Sequence, residues 1–167
     1  MSMIGYFLLV SDEEVRQAKS DPNSVEQLID AGYEDGNADL VGVDKAWHCL
    51  HFLFTGTLDE GDPPLDFIMR GGAEVGEDIG YGPARAFDSS GLKRIADALD
   101  RVDRASLVAR FDAGKMNELE IYPPGDWGEV DPTSDETFGY FSGAFDAVKD
   151  LARRGRTEGR GLLVWLS

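Results

Sequence analysis

Ile4-Gly5-Tyr6-Phe7-Leu8-Leu9-Val10 is a run of seven residues with no charge and no polar alternation. An uninterrupted apolar stretch of this length reads as a buried β-strand. The other end of the sequence carries a second such run, Gly161-Leu-Leu-Val-Trp165-Leu166. Between the two, most periodic segments have helical spacing. Two apolar strands at opposite ends are most economically placed as neighbours in one small sheet, since each alone would expose an apolar edge. The expected fold is therefore α+β: a single compact domain over residues 1–167, its small sheet including both terminal strands and packed by several helices.

The segments between are marked by caps and breakers. Ser11-x-x-Glu14 is a capping box that opens a short helix through about Lys19. Asp21-Pro22-Asn23-Ser24 breaks it and caps a second helix over Val25 to Ala31, and residues 32–42 read as a Gly- and Asp-rich loop. Asp44 is placed to cap a helix from Lys45 to Thr55, stopped by Gly56. Asp62-Pro63 predicts another short helix, ending at Gly71-Gly72. Ala73–Val75 and Ala84–Phe87 read as extended segments about a turn. Ser89 or Ser90 caps a helix with Leu92, Ile95, Ala96 and Leu99 on its inner face, and Asp103 caps one that turns Leu107, Val108 and Phe111 inward. Residues 112–121 have no clear period, and 122–133 form a proline-rich loop. Phe138, Phe141, Phe145, Val148 and Leu151 define the strongest amphipathic helix, ending near Gly155.

Composition bounds the function classes. The chain has 32 acidic and 16 basic residues, net −16, and the excess is uneven. Residues 1–84 hold 17 acidic and 4 basic side chains, against 15 and 12 in residues 85–167. An acidic surface repels phosphate backbones, so neither nucleic acid nor an anionic membrane is expected as a partner; a basic protein or a cationic ligand suits it better. Solubility alone also accounts for such a charge. No stretch reaches the roughly 18 apolar residues of a membrane helix. The first ten residues lack a basic segment and a cleavage site, and run directly into Ser11-Asp-Glu-Glu14, unlike a signal peptide. One cysteine, Cys49, excludes an internal disulfide and suits a reducing, cytoplasmic setting.

Several motifs fail on inspection. Asp35-Gly-Asn37-Ala-Asp39 alternates oxygen ligands as a calcium loop does, but Leu40 and Ala46 stand where glycine and the bidentate glutamate belong. Gly80-Tyr81-Gly82-Pro-Ala-Arg85 starts like a dinucleotide fingerprint and ends in arginine in place of the third glycine. Neither a phosphate loop nor a nucleophile elbow is present, and one cysteine cannot build a four-ligand zinc site of the cysteine-rich type. No cofactor and no metal is expected. Arg153-Arg154-Gly-Arg156 reads as a helix end, and Trp127 as a side chain folded back over the core.

One segment remains. Trp47, Leu50, Cys49, Phe52, Leu53 and Phe54 make the helix from Asp44 apolar nearly all round, so Asp44, His48 and His51 form a polar stripe against that background. Both histidines of the chain lie there. Imidazole titrates near neutrality, so the stripe suits either a packed, hydrogen-bonded core or a polar ligand pocket, and less readily acid–base chemistry. Cys49 lies on the side opposite His51, which excludes a Cys–His dyad within the helix and leaves it a core thiol.

Four segments together, Met3-Ile-Gly-Tyr-Phe7, Asp44-Lys-x-Trp47-x-x-x-His51-x-x-x-Thr55-Gly56, Gly76-Glu-Asp-x-Gly-Tyr-Gly-Pro-Ala-Arg85 and Ile121-Tyr-Pro123, resemble the YfbM-like family of small bacterial proteins. The likeness keeps segment order over nearly the whole chain. It implies an α+β fold and a cytoplasmic bacterial protein, and no activity. His48 lies outside the resembling pattern, whereas Trp47, His51, Thr55 and the Gly76–Arg85 segment lie within it.

The resulting expectation is an intracellular, non-catalytic binding module. Trp47, His51, Thr55, Tyr81 and Arg85 are its candidate ligand-binding residues, in a Trp/His-lined cleft for a small polar ligand or a basic protein partner. The competing reading is a small hydrolase-like enzyme using His51 as acid or base, oriented by Glu77 or Asp78. It requires His51 to face solvent within reach of a carboxylate.

Overall fold

In a computed structural model describing residues 2–167, the chain runs β1 (Gly5–Val10), α1 (Asp12–Ser20), α2 (Pro22–Gly32), β2 (Leu40–Gly42) and, after a single 3-10 turn over Asp44–Ala46, α3 (Trp47–Thr55). Then follow β3 (Ala73–Asp78), β4 (Pro83–Phe87), α4 (Ser89–Leu99), α5 (Arg104–Arg110), α6 (Ala113–Glu118), α7 (Asp135–Glu158) and β5 (Gly161–Leu166). The strands form one antiparallel sheet in the order β2-β1-β5-β4-β3. The two apolar end strands are its central pair, in register from Gly5 opposite Leu166 to Val10 opposite Gly161.

That placement explains the missing alternation, because both faces of β1 and β5 are covered. Phe7, Leu9, Leu162 and Val164 face the core built with α3, α4 and α7. Leu8, Val10, Leu163 and Trp165 face a smaller core with Val15, Ala18, Val25 and Ile29 of α1 and α2. Each such side chain contributes roughly 1.5–3 kcal/mol on burial, so the central pair anchors both layers.

The helices follow their local signals where no tertiary contact competes. Ser11 and Glu14 form the full capping box of α1, and Gly56 ends α3 in the left-handed conformation at φ 72°. α2 begins earlier than Val25, with Asp21 capping and Pro22 in its first turn. Asp88, rather than Ser89 or Ser90, caps α4 by accepting the Gly91 amide hydrogen. α7 passes through Gly155 to stop at Gly159. Gly155 is a close-packing position: a Cβ there would collide with Leu92 and Leu9, where α7 crosses α4 and β1.

Three expectations are corrected. The loop expected at 32–42 contains β2, a three-residue strand whose order comes from pairing with Tyr6–Leu8. Asp44 does not cap α3: its backbone is left-handed at φ 47°, and its carboxylate accepts a hydrogen bond of 2.9 Å from the Tyr140 hydroxyl. The helix expected from Asp62 to Gly71 is a succession of turns. Arg85 takes the carbonyls at the end of this segment, those of Phe67, Ile68 and Arg70, which the last turn of a helix would leave without an internal partner.

The cations of the second half are largely paired. Arg153 and Arg156 bind Asp100, Arg156 also binds Asp97, and Arg154 and Arg160 converge on Asp39. No helix of the described residues is long and apolar enough to cross a membrane.

Candidate functional site

α3 carries most of the residues singled out in the sequence, and it is buried along its length except at Thr55. Trp47 is in the core; its Nε1 donates to the Met3 carbonyl at 3.1 Å and its ring stacks on His48 at 4.8 Å. His48 is a clamp. Its Nδ1 accepts the Tyr122 amide hydrogen at 3.0 Å, and its Nε2 lies 2.8 Å from the Leu58 carbonyl. An amide N–H can only donate and a carbonyl can only accept, so these partners fix the neutral Nε2–H tautomer. Burial holds the His48 pKa below its usual value, in agreement.

His51 is the opposite case. It has 0% exposure, and neither ring nitrogen has a hydrogen-bond partner. Burial pushes its pKa down to about 4, helped by the repulsion a second protonated imidazole at His48 would bring and by the Arg85 charge; the Glu60 backbone and Asp59 pull weakly the other way without a bond of normal geometry. The ring is neutral at pH 7 and sealed from solvent, which is unlike an acid–base catalyst serving a bound substrate. Glu77 and Asp78, expected to orient it, lie instead on a groove bordered by α2. Cys49 is also fully buried, and burial pushes its thiol well up.

Thr55 closes the helix. Its hydroxyl donates to the His51 carbonyl at 2.8 Å and accepts the Thr57 amide hydrogen at 3.2 Å. Arg85, on β4, reaches into the 67–71 turn: Nη2 donates to the Phe67 carbonyl at 2.9 Å and to Ile68, and Nη1 to Gly71 at 3.1 Å and to Arg70. Its planar fork thus satisfies four carbonyls at the end of this segment. Burial lowers its pKa to about 10, so it stays charged at neutrality. Tyr81 is apart from all of these, 42% exposed on the β3–β4 turn. The five candidates therefore do not line one cleft: Trp47 and His51 are core, Arg85 organises a turn, Tyr81 is on the surface, and Thr55 borders a depression at the end of α3.

A groove assembled from distant segments is more open to a partner. It has a volume of about 460 Å³ between α2 and the end of the sheet, lined by Glu26, Asp30, Tyr33, Glu77, Asp78 and Trp165 among others. Tyr6 stacks on Trp165 at 5.3 Å, and Tyr33 meets both edge-on, its hydroxyl accepting from the Trp165 indole at 3.2 Å. Tyr33 remains 45% exposed. The lining includes no lysine or arginine. Sequence reading missed this groove because its residues come from α2, β3 and β5; the acidic excess of residues 1–84 was its only visible sign. Trp127, in contrast, is folded over the core as expected, its indole donating to the Ile121 carbonyl at 2.9 Å. Among the described residues, no group of three or more His, Cys, Asp or Glu side chains is arranged to hold a metal ion.

Comparison with known proteins agrees with the architecture. Residues 1–165 match the family model described as "Domain of unknown function (DUF1877)". Protein YfbM of Escherichia coli (strain K12) is 31% identical over 129 residues, 74% of this chain and 74% of YfbM. The crystal structure of a protein of unknown function, YfbM from Escherichia coli, has the same fold, with a TM-score of 0.71 at 24% identity over 98% of this chain and 99% of that one.

Proposed function

The chain belongs to the DUF1877 family, and from that premise we propose that it is a non-catalytic binding module that seats a cationic segment of a partner protein in the groove between α2 and the β3–β4 hairpin. One observation carries this reading: Glu26, Asp30, Glu77 and Asp78 surround the aromatic wall of Tyr33 and Trp165 with no cation among the lining residues. Carboxylates at the rim attract a lysine or arginine side chain, and an aromatic wall holds its alkyl stem and charge. The groove takes the place of the Trp/His-lined cleft expected from sequence. The −16 net charge supports the same preference and disfavours nucleic acid and anionic membranes as partners. A cytoplasmic setting fits the single buried thiol.

The test is calorimetric titration of the full chain with a lysine- and arginine-rich peptide at two salt concentrations. Binding should weaken with salt, because exposed charges are screened within about 10 Å at 0.1 M and about 3 Å at 1 M. The double substitution Glu26→Lys with Asp30→Lys should abolish it. Affinity that ignores both salt and charge reversal would rule the groove out.

A further inference from the structure

His51 is sealed with both ring nitrogens unbonded, and the chain that follows α3 covers it. Nothing apolar holds that cover down. None of residues 56–61 is buried, and the sole apolar side chain among them, Leu58, is 41% exposed. Polar ties do the holding. The Leu58 carbonyl lies 2.8 Å from His48 Nε2, and the Thr57 amide donates to the Thr55 hydroxyl at 3.2 Å. Arg70 binds the Asp59 carbonyl at 2.6 Å and its carboxylate at 3.3 Å. Elsewhere α3 packs against α5 and α7 through core side chains, so this segment is the part of its cover that can leave without exposing apolar surface. Segments held by surface polar contacts open at lower free energy than a core.

The charged and titratable groups about the His51 ring are few. His48 acts on it from α3, Asp59 and the Glu60 backbone from the covering segment, and Arg85 from β4. The Glu60 carbonyl accepts the Thr57 hydroxyl at 2.6 Å, and the Arg85 guanidinium is committed to the 67–71 carbonyls. From α5, Arg110 reaches the Leu53 carbonyl, and from α7 Tyr140 meets Asp44 ahead of the helix. None of these groups hydrogen-bonds a His51 nitrogen. A proton taken up by the sealed ring is therefore a buried charge beside a guanidinium, without an acceptor of good geometry. In water the same proton is solvated.

We propose that residues 57–61 form an acid-released latch: protonation of His51 frees the segment from α3 and bares the imidazole to solvent, while the sheet and the helices stay folded. The sign follows from linkage. Burial holds the closed ring at about 4, against about 6.5 for a solvated imidazole. Below pH 6.5 the open state binds more protons, so closure is fully favoured above that value and weakens as pH falls toward 4. His48 acts in the same direction. A second proton on its ring would sit on Nδ1, facing the Tyr122 N–H that this nitrogen now accepts. The latch shares no residue with the groove between α2 and the β3–β4 hairpin.

Native-state amide exchange of Thr57 in the full chain, read by NMR at pH 7 and pH 5 and normalised to intrinsic rates, is the test. Its opening constant should rise by about twentyfold at the lower pH and ignore low concentrations of urea. Amides of β1 and β5 should exchange only through urea-sensitive global unfolding, with far smaller opening constants. His51→Leu should abolish the pH response of Thr57. Arg70→Ala, an exposed change that removes the tie to Asp59, should raise opening at both pH values and preserve the ratio between them. An unprotected Thr57 amide at pH 7, a pH-independent opening, or an opening that follows the sheet in urea would each overturn the latch. So would a pH response retained in His51→Leu, or no effect of Arg70→Ala.

Discussion

His48 and His51 stand one turn apart on α3 with opposite hydrogen-bond states: both ring nitrogens of His48 are engaged, and neither of His51 is. Both are held neutral by burial, and His51 is lowered to about 4. The unfolded chain keeps both rings near their ordinary value of about 6.5. Between that value and about pH 4 the unfolded state binds more protons, so stability is fully present above pH 6.5 and lost as pH falls toward the folded value. Urea unfolding at pH 7 and pH 4.5 should differ by about 2 kcal/mol from His51. His51→Leu should flatten this dependence and cost little at pH 7, since it removes two unpaired polar atoms; an unchanged pH profile would refute the assignment.

His48 has the reverse prediction. Its removal leaves the Leu58 carbonyl and the Tyr122 amide without their partner. His48→Ala should destabilise the chain by about 2–4 kcal/mol in equilibrium unfolding. His51→Ala should be milder in polar cost, because no partner is orphaned.

Arg85→Lys preserves the charge and loses the planar fork. A single ammonium cannot reproduce the bonds to the Phe67, Ile68, Arg70 and Gly71 carbonyls. A loss of about 2 kcal/mol is expected, with amide exchange accelerated first in residues 66–71. Uniform acceleration over the whole sheet would contradict a local role.

Tyr140→Phe removes a hydroxyl that donates to Asp44 and accepts the Lys45 amide hydrogen at 2.9 Å. Because it holds the left-handed Asp44 turn at the entrance to α3, its loss should cost about 1–2 kcal/mol. Thermal unfolding of the variant measures this directly.

Legibility of the fold followed the range of the forces involved. β1 and β5 were readable because two-sided burial leaves a continuous apolar run, and α1 because Ser11 and Glu14 close a box within four residues. β2 was not, since three residues have no period of their own and take their order from Tyr6–Leu8. Residues 62–71 contained a helix-start signal but form successive turns, whose last carbonyls are held by a side chain from β4. The site was less legible still. Trp47 and His51 were identifiable as unusual, but whether a polar residue on an apolar helix is sealed or open depends on what covers it. Here the 57–61 segment, tied down through Leu58 and His48, does so.

The position of β5 has a consequence for how the chain is made. Of the sheet's strands it is synthesised last, yet it joins the β1–β2 pair to the β3–β4 hairpin. Until residues 161–166 leave the ribosome, the two halves have no shared strand, and the apolar edges of Phe7–Val10 and Ala84–Phe87 wait unpaired. Assembly is gated by translation of β5, so a stalled or clipped chain lacking that strand carries two sticky, unpaired sheet edges rather than being a slightly weakened protein.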